Sequence, residues 1–365
     1  MSGVLREPRR TPTVVSMPST PDTADLRSRL LGVKLRALVA EHLGDVAVPA
    51  ETQPFPHGTA LVVGDAAWVL IDGDAAGALG GALAWAIRQG CAELHLVADH
   101  GTGVLARRAE RLRFPVSIWF PEERTLLPAV AEPLPAPPAA DPEHLALAGL
   151  IIDAGADVGI EHGVVFGEVR GLEVCRVVDE PTIGTIADGS DLDLAALVEA
   201  ASDDGVLLEV GVGANDREAF RLLHGDIPTR EALSTVVAAV ARHRRDGAPQ
   251  HPLNRLARER SLRWRLQQDP ALVGMASVVP AEPPQPRRNL KDPVPCLADA
   301  VDAEGTPTRV VCTTGVDLDL VGYVADVQTA AAGPVIVALP SRDLLPITVE
   351  LLATLAVPVT VRTVD

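Results

Sequence analysis

Aromatic side chains are scarce: four Trp, five Phe and one Tyr make up 3% of the 365 residues. Apolar residues still reach 47%, so any core must be built from Val, Leu, Ala and Ile. Only four cysteines occur, Cys91, Cys175, Cys296 and Cys312, and none form a CxxC pair. That spacing excludes a disulfide framework and a structural zinc site, and it predicts buried, reduced thiols. No apolar run reaches the roughly 18–20 residues of a membrane span. The first residues carry Arg6, Arg9 and Arg10 but no apolar stretch, which excludes a signal peptide and makes a cytoplasmic location the expectation. Positive charge is in deficit as well. A net charge of −17 and a pI near 4.9 argue against a general polyanion binder.

What is present reads as α/β. Single cores stop growing near roughly 250–300 residues, so this length implies two or three domains. Residues 1–24 read as a disordered tail, followed by an amphipathic helix with Leu31, Leu35, Leu38 and Val39 on its apolar stripe. Residues 25–128 form an N-terminal α/β domain, and 129–142 a Pro/Ala linker. A central α+β domain with basic helices spans 143–278, residues 279–295 are a second Pro-rich linker, and 296–365 a C-terminal α/β segment.

The two ends repeat one pattern. Asp72 and Asp317 each follow a strand and open a helix, and Asp99 and Asp343 do the same one unit later. Phe114-Pro115-Val116 and Val357-Pro358-Val359 begin the third strands. These are two half-Rossmann-like three-stranded segments flanking the centre, which either join into one doubly wound sheet or stay as two small domains.

Charge is unevenly spread. Between Arg230 and Lys291 lie twelve positive and five negative side chains, nearly all the positive ones Arg. Arg suits bidentate contacts to phosphate or carboxylate. Arg255, Arg258, Arg263, Trp264 and Arg265 therefore form a candidate surface for DNA or RNA, with Trp264 for stacking. The other reading is a helix clamped onto acidic neighbours by ion pairs.

In the centre, two carboxylates fall inside apolar runs. If Val164–Val178 is extended, alternation puts Glu173 on one face with Val169, Cys175 and Val177. Glu209 interrupts Val206–Val212. A buried carboxylate needs a partner. Together Glu173 and Glu209 either hold a divalent cation or pair with Arg176 or Arg217.

Helix 143–153, then Gly167-Glu168-Val169-Arg170, then Leu208-Glu209-Val210-Gly211 and a helix, together resemble the PD-(D/E)XK nuclease-like superfamily. One branch carries a G-E-x-D turn and an E-x-K strand, whose Asp and Glu bind Mg²⁺ and whose Lys assists the attacking water. Glu209 matches the strand Glu, whereas Arg170 stands in place of the Asp and Gly211 in place of the Lys. The resemblance implies a nuclease-like core with Glu173 and Glu209 as catalytic, Mg²⁺-holding residues, Asp179 being the other residue able to stand in for the missing Asp. Its function is then that of a nucleic-acid-associated Mg²⁺-dependent phosphodiesterase or an inactive relative. The alternative is a non-enzymatic scaffold or ligand-binding regulator that uses the strand-end loops of the flanking domains. There, Asp72-Gly73-Asp74-Ala75-Ala76-Gly77 is similar to the D-x-D-x-A-G stretch of Toprim domains, without that family's preceding Glu-Gly strand.

Overall fold

The computed structural model describes residues 23–179, 205–213, 216–219, 229–245, 247–287 and 294–365. The sequence-based assignments over residues 1–22, the loop 180–192, the helix 194–201 and the Asn215 helix start lie outside the described residues, as do Arg288 and Lys291.

The described residues form three sheets, mixed or antiparallel, with their helices. Helix α1 (Thr23–Leu43) precedes strands β1 (Gln53–Phe55), β2 (Gly58–Val63) and β3 (Ala66–Asp74). Then come α2 (Leu79–Arg88), β4 (Glu93–His100), α3 (Thr102–Ala109), β5 (Val116–Glu122) and β6 (Thr125–Pro128). The six strands form one sheet in chain order, with β3, β4 and β5 parallel. Strand β3 is apolar at consecutive positions because both its faces are covered. Trp68 and Leu70 pack under α1 with Leu35, Leu38 and Val39, while Val69 and Ile71 pack under α2 and α3.

The central unit holds α4 (Pro142–Ala146), α5 (Ala148–Asp153), β7 (Asp157–Glu161), β8 (Val164–Val169), β9 (Leu172–Asp179) and β10 (Val206–Val210). Its sheet is wholly antiparallel, in the order β10-β9-β8-β7. The span 143–153, expected as one helix, is two short ones that meet at Leu147. Helix α6 (Thr229–Arg244) packs on this sheet through Leu233, Val237 and Val240.

Helix α7 (Arg258–Gln268) leads into the third sheet: β11 (Ser277–Ala281), β12 (Cys296–Val301), β13 (Pro307–Cys312), β14 (Val335–Leu339) and β15 (Thr360–Thr363). Between them run α8 (Leu320–Ala330) and α9 (Pro346–Leu352). Strand β11 lies upstream of β12, so the third sheet starts at 277, and the Pro-rich span 279–295 holds the end of β11 and its connection to β12. Pro280 is tolerated because β11 is an edge strand.

The internal repeat is longer than its three strands. Helix, antiparallel hairpin, then strand–helix–strand–helix–strand describes α1 through β5 and, equally, α7 through β15. The halves do not join into one sheet, nor do they stand apart. Helices α2 and α3 of the first pack against α8 and α9 of the second in a single core that includes Leu83, Leu105, Val324 and Leu351. Leu112 and Leu355, each three residues before the proline of its half, pair with one another antiparallel. Arg113 N–H donates to Thr354 O at 2.8 Å and Ala356 N–H to Arg111 O at 2.8 Å. Equivalent residues meeting each other in this way define a local two-fold. None of the described helices is long and apolar enough to cross a membrane.

Candidate functional site: a carboxylate–guanidinium cluster and the strand-end loops

Alternation along β9 predicts Glu173 beside Cys175, but the ladder breaks it. Gly167 pairs with Cys175 and Glu168 with Glu173, which leaves Val174 as an extra residue on β9. A bulge of one residue shifts the alternation on its far side to the opposite face. Glu173 is thereby turned to the face of Phe166, Glu168 and Arg176, and Glu209 joins it as the cross-strand partner of Arg176.

Those carboxylates converge on guanidinium groups. Glu173, 1% exposed, accepts from Arg176 Nε at 2.9 Å and Nη2 at 3.0 Å, and from Arg217 Nη1 at 3.0 Å. Arg217 Nε donates to Glu209 at 3.2 Å, so one guanidinium joins Glu173 to Glu209. Its position depends on Gly211, whose φ is +141° and where a Cβ would lie 2.9 Å from the Arg217 nitrogen. A glycine at position 211 is thus needed for Arg217 to approach.

The Arg-rich helix closes over the same face. Arg260 pairs with Glu161 and lies 3.8 Å from Glu173, with its guanidinium stacked 4.5 Å from the Phe166 ring. Arg263 bonds Glu161 at 3.2 Å, Glu168 at 3.3 Å and the Leu297 carbonyl at 3.4 Å, which ties the central sheet to the third. Burial opposes charge on Arg260, but Glu161 and Glu168 outweigh it and raise its pKa. Burial likewise works against the Glu161 carboxylate, yet Arg260 and Arg263 hold it below its ordinary range. Arg170 and Gly171, both at positive φ, form the two-residue turn between β8 and β9. A Cβ on Gly171 would sit 2.3 Å from the Arg260 carbonyl carbon, so α7 docks on a bare backbone.

The five residues expected to bind nucleic acid do not share one surface. Arg263 is interior, Trp264 packs under Arg170 at 4.9 Å, and Arg265 donates to the Asp365 carbonyl. Arg258 keeps 40% exposure while pairing with Asp343 at 3.5 Å, and Arg255 is exposed. Sequence reasoning named Arg217 and the ion-pair clamp as options but missed Glu161, which lies on the strand β7 that it did not identify.

The second candidate lies where the strand-end loops of the two repeats touch. Asp74 Oδ1 accepts from the Ala76 N–H at 3.0 Å, and Arg108 donates to the Ala76 carbonyl. Arg108 also lies 3.6 Å from Asp319, whose amide donates to Asp317 at 2.9 Å. Gly80 has no room for a Cβ, which would meet the Leu318 carbonyl oxygen at 1.7 Å. Asp319 keeps 29% side-chain exposure while its Oδ1 is sealed from solvent without a hydrogen-bond partner. Burial pushes its carboxyl up to about 7, against the pull of Arg108.

In the unfolded chain an Asp titrates near ~3.9. Between the two values the folded state holds a proton that the unfolded state has shed. The associated stability is present below about pH 4 and is lost as pH rises through about 7. Asp319→Asn, which mimics the neutral form, is expected to exceed wild type by about 1–3 kcal/mol at pH 8 and to match it at pH 4. Urea melts at the two pH values measure this, and an equal difference at both would contradict it.

The chain matches no family model, no curated protein and no solved structure.

Proposed function

We propose that this chain is a non-enzymatic scaffold that binds its ligand at the joined strand-end loops of the two repeats, with the central domain as an architectural clamp. The observation that carries the reading is Arg217: its guanidinium bonds both Glu173 and Glu209, taking the place between them that a divalent ion would need. Arg260 and Arg263 are engaged in the same way, by Glu161 and Glu168. Ligands of open α/β sheets bind beyond the carboxyl ends of parallel strands. Here two such ends abut, and Asp74, Asp317 and Asp319 outnumber Arg108. That chemistry suits a ligand rich in amino or hydroxyl donors.

A second reading keeps the nuclease-like core and Mg²⁺. It is favoured by the exposed arginines Arg242, Arg245 and Arg255 on and just beyond α6, which are positioned to meet a phosphate backbone. One calorimetric experiment separates the two. The chain is titrated at low salt with spermidine, as a donor-rich cation, and with a single-stranded oligonucleotide. The scaffold reading predicts saturable spermidine binding that Asp74→Asn with Asp319→Asn abolishes, and no oligonucleotide binding. Salt-sensitive oligonucleotide binding, or spermidine binding indifferent to the two substitutions, would overturn it.

A further inference from the structure

Two of the four free cysteines face each other. Cys296 and Cys312 are directly paired across the antiparallel strands β12 and β13, and both are buried, at 3% and 0% exposure. Directly paired residues project to the same face of a sheet, so the two thiols are neighbours in one core cluster. Directly opposed residues of an antiparallel ladder have Cα atoms about 4.5–5.5 Å apart, inside the roughly 4.4–6.8 Å range that a disulfide spans. Cys91 and Cys175, in contrast, belong to different core clusters and have no thiol neighbour among the described residues.

We propose that Cys296 and Cys312 form a peroxide-sensitive dithiol that closes reversibly into a cross-strand disulfide, with Cys296 as the attacking thiol and Cys312 as the resolving one. Arg263 and Arg287 set this polarity by position: they donate to the Leu297 and Val294 carbonyls, on either side of Cys296. Burial works against a Cys296 thiolate, but the neighbouring Cys312 thiol and the charges of the two guanidinium groups outweigh it and hold the thiol below the usual cysteine range. The neighbouring Cys296 sulfur and burial raise Cys312 well above that range. Burial also restricts the oxidant to a small uncharged molecule, hydrogen peroxide, because a bulky disulfide cannot reach thiols at 3% and 0% exposure.

The Cys296 thiolate attacks one peroxide oxygen. The O–O bond breaks, leaving Cys296 as its sulfenic acid and a hydroxide that takes up a proton to become water. The Cys312 sulfur then attacks the Cys296 sulfur. The S–O bond breaks, and the departing hydroxide leaves as a second water with the Cys312 proton. Two thiols lose two electrons, and one hydrogen peroxide becomes two waters. Arg263, beside Cys296, also holds Glu161, Glu168 and the Leu297 carbonyl, so the oxidised pair sits at the joint between the central and third sheets.

The test uses the full chain. It is exposed to hydrogen peroxide, its remaining thiols are alkylated in denaturant, and its unreduced peptides are mapped by mass spectrometry. The expected result is a Cys296–Cys312 linked peptide, alkylated Cys91 and Cys175, and full recovery of thiols with dithiothreitol. Cys312→Ser should stop at a Cys296 sulfenic acid trapped by dimedone. A variant carrying Cys91→Ser and Cys175→Ser should form the bridge unchanged, which keeps the test valid if Cys312→Ser fails to fold. Alkylation of both Cys296 and Cys312 after peroxide would overturn the proposal. So would a bridge that involves Cys91 or Cys175, or one that forms equally well in the urea-unfolded chain.

Discussion

Glu173→Gln is expected to destabilise the protein by about 3–5 kcal/mol, the range for breaking a buried ion pair from one side. The carboxylate is 1% exposed and takes both nitrogens of the Arg176 fork, a third bond from Arg217 and the nearby charge of Arg260. Glutamine keeps the shape but leaves three cations facing a neutral amide. The cost comes from those cations, two of them almost wholly buried, losing one counter-charge that the partly exposed Glu209 and the more distant Glu161 do not replace. The neighbouring change Glu209→Gln should cost only about 1 kcal/mol, because Glu209 is 27% exposed and Arg217 keeps Glu173. Chemical denaturation of the two variants measures the contrast. Equal losses would mean that the cluster is not organised around Glu173.

Asp326→Asn should have a loss of similar size, about 3–5 kcal/mol, at a different joint. Asp326, on α8, is fully buried and accepts from Arg107 Nε at 3.1 Å, Arg108 Nε at 3.0 Å and Gln285 Nε2 at 3.1 Å. Both arginines come from α3 of the other repeat. They reach further, Arg107 to the Glu132 carbonyl at 2.9 Å and Arg108 to the Ala76 carbonyl, so one carboxylate anchors the linker, the strand-end loop and the helix pair. Because the halves share one core, the variant should still melt in a single transition, shifted to lower temperature. Two resolved transitions, with the N-terminal half unaffected, would show instead that the repeats are energetically independent.

The parts of this fold that were legible were those set by local pattern. The strand–helix alternation of each half and the proline before each third strand were in plain view, and both halves carry them. Asp72 and Asp99, however, fall inside β3 and β4, whereas Asp317 and Asp343 follow their strands as expected. The first half of the repeat was hidden because its two copies are connected differently. Pro56 and His57 turn β1 tightly into β2, whereas β11 and β12 are separated by the proline-rich stretch that reads as a linker. Nor did composition indicate that the halves meet through their helices, since a helix face apolar enough for its own sheet looks the same when it also covers another.

The cluster was half legible. Two carboxylates in apolar runs demanded partners, and Arg176 and Arg217 were the nearest candidates. The face of Glu173 was not readable, because the single extra residue Val174 inverts it and nothing in the residue types announces a bulge. The partners of Arg260 and Arg263 were invisible for another reason: Glu161 and Glu168 lie about a hundred residues upstream, brought under α7 only by the folding of β7 and β8.

Arg217 is the cation between Glu173 and Glu209, and the clamp depends on it. Thermal melts of wild type and Glu209→Gln, each with and without Mn²⁺, test this most directly. The prediction is that Mn²⁺ leaves both melting temperatures where they were, with Glu209→Gln only slightly below wild type. A rise in the wild-type melting temperature with Mn²⁺ that Glu209→Gln abolishes would contradict it, and would put a metal where the guanidinium now stands.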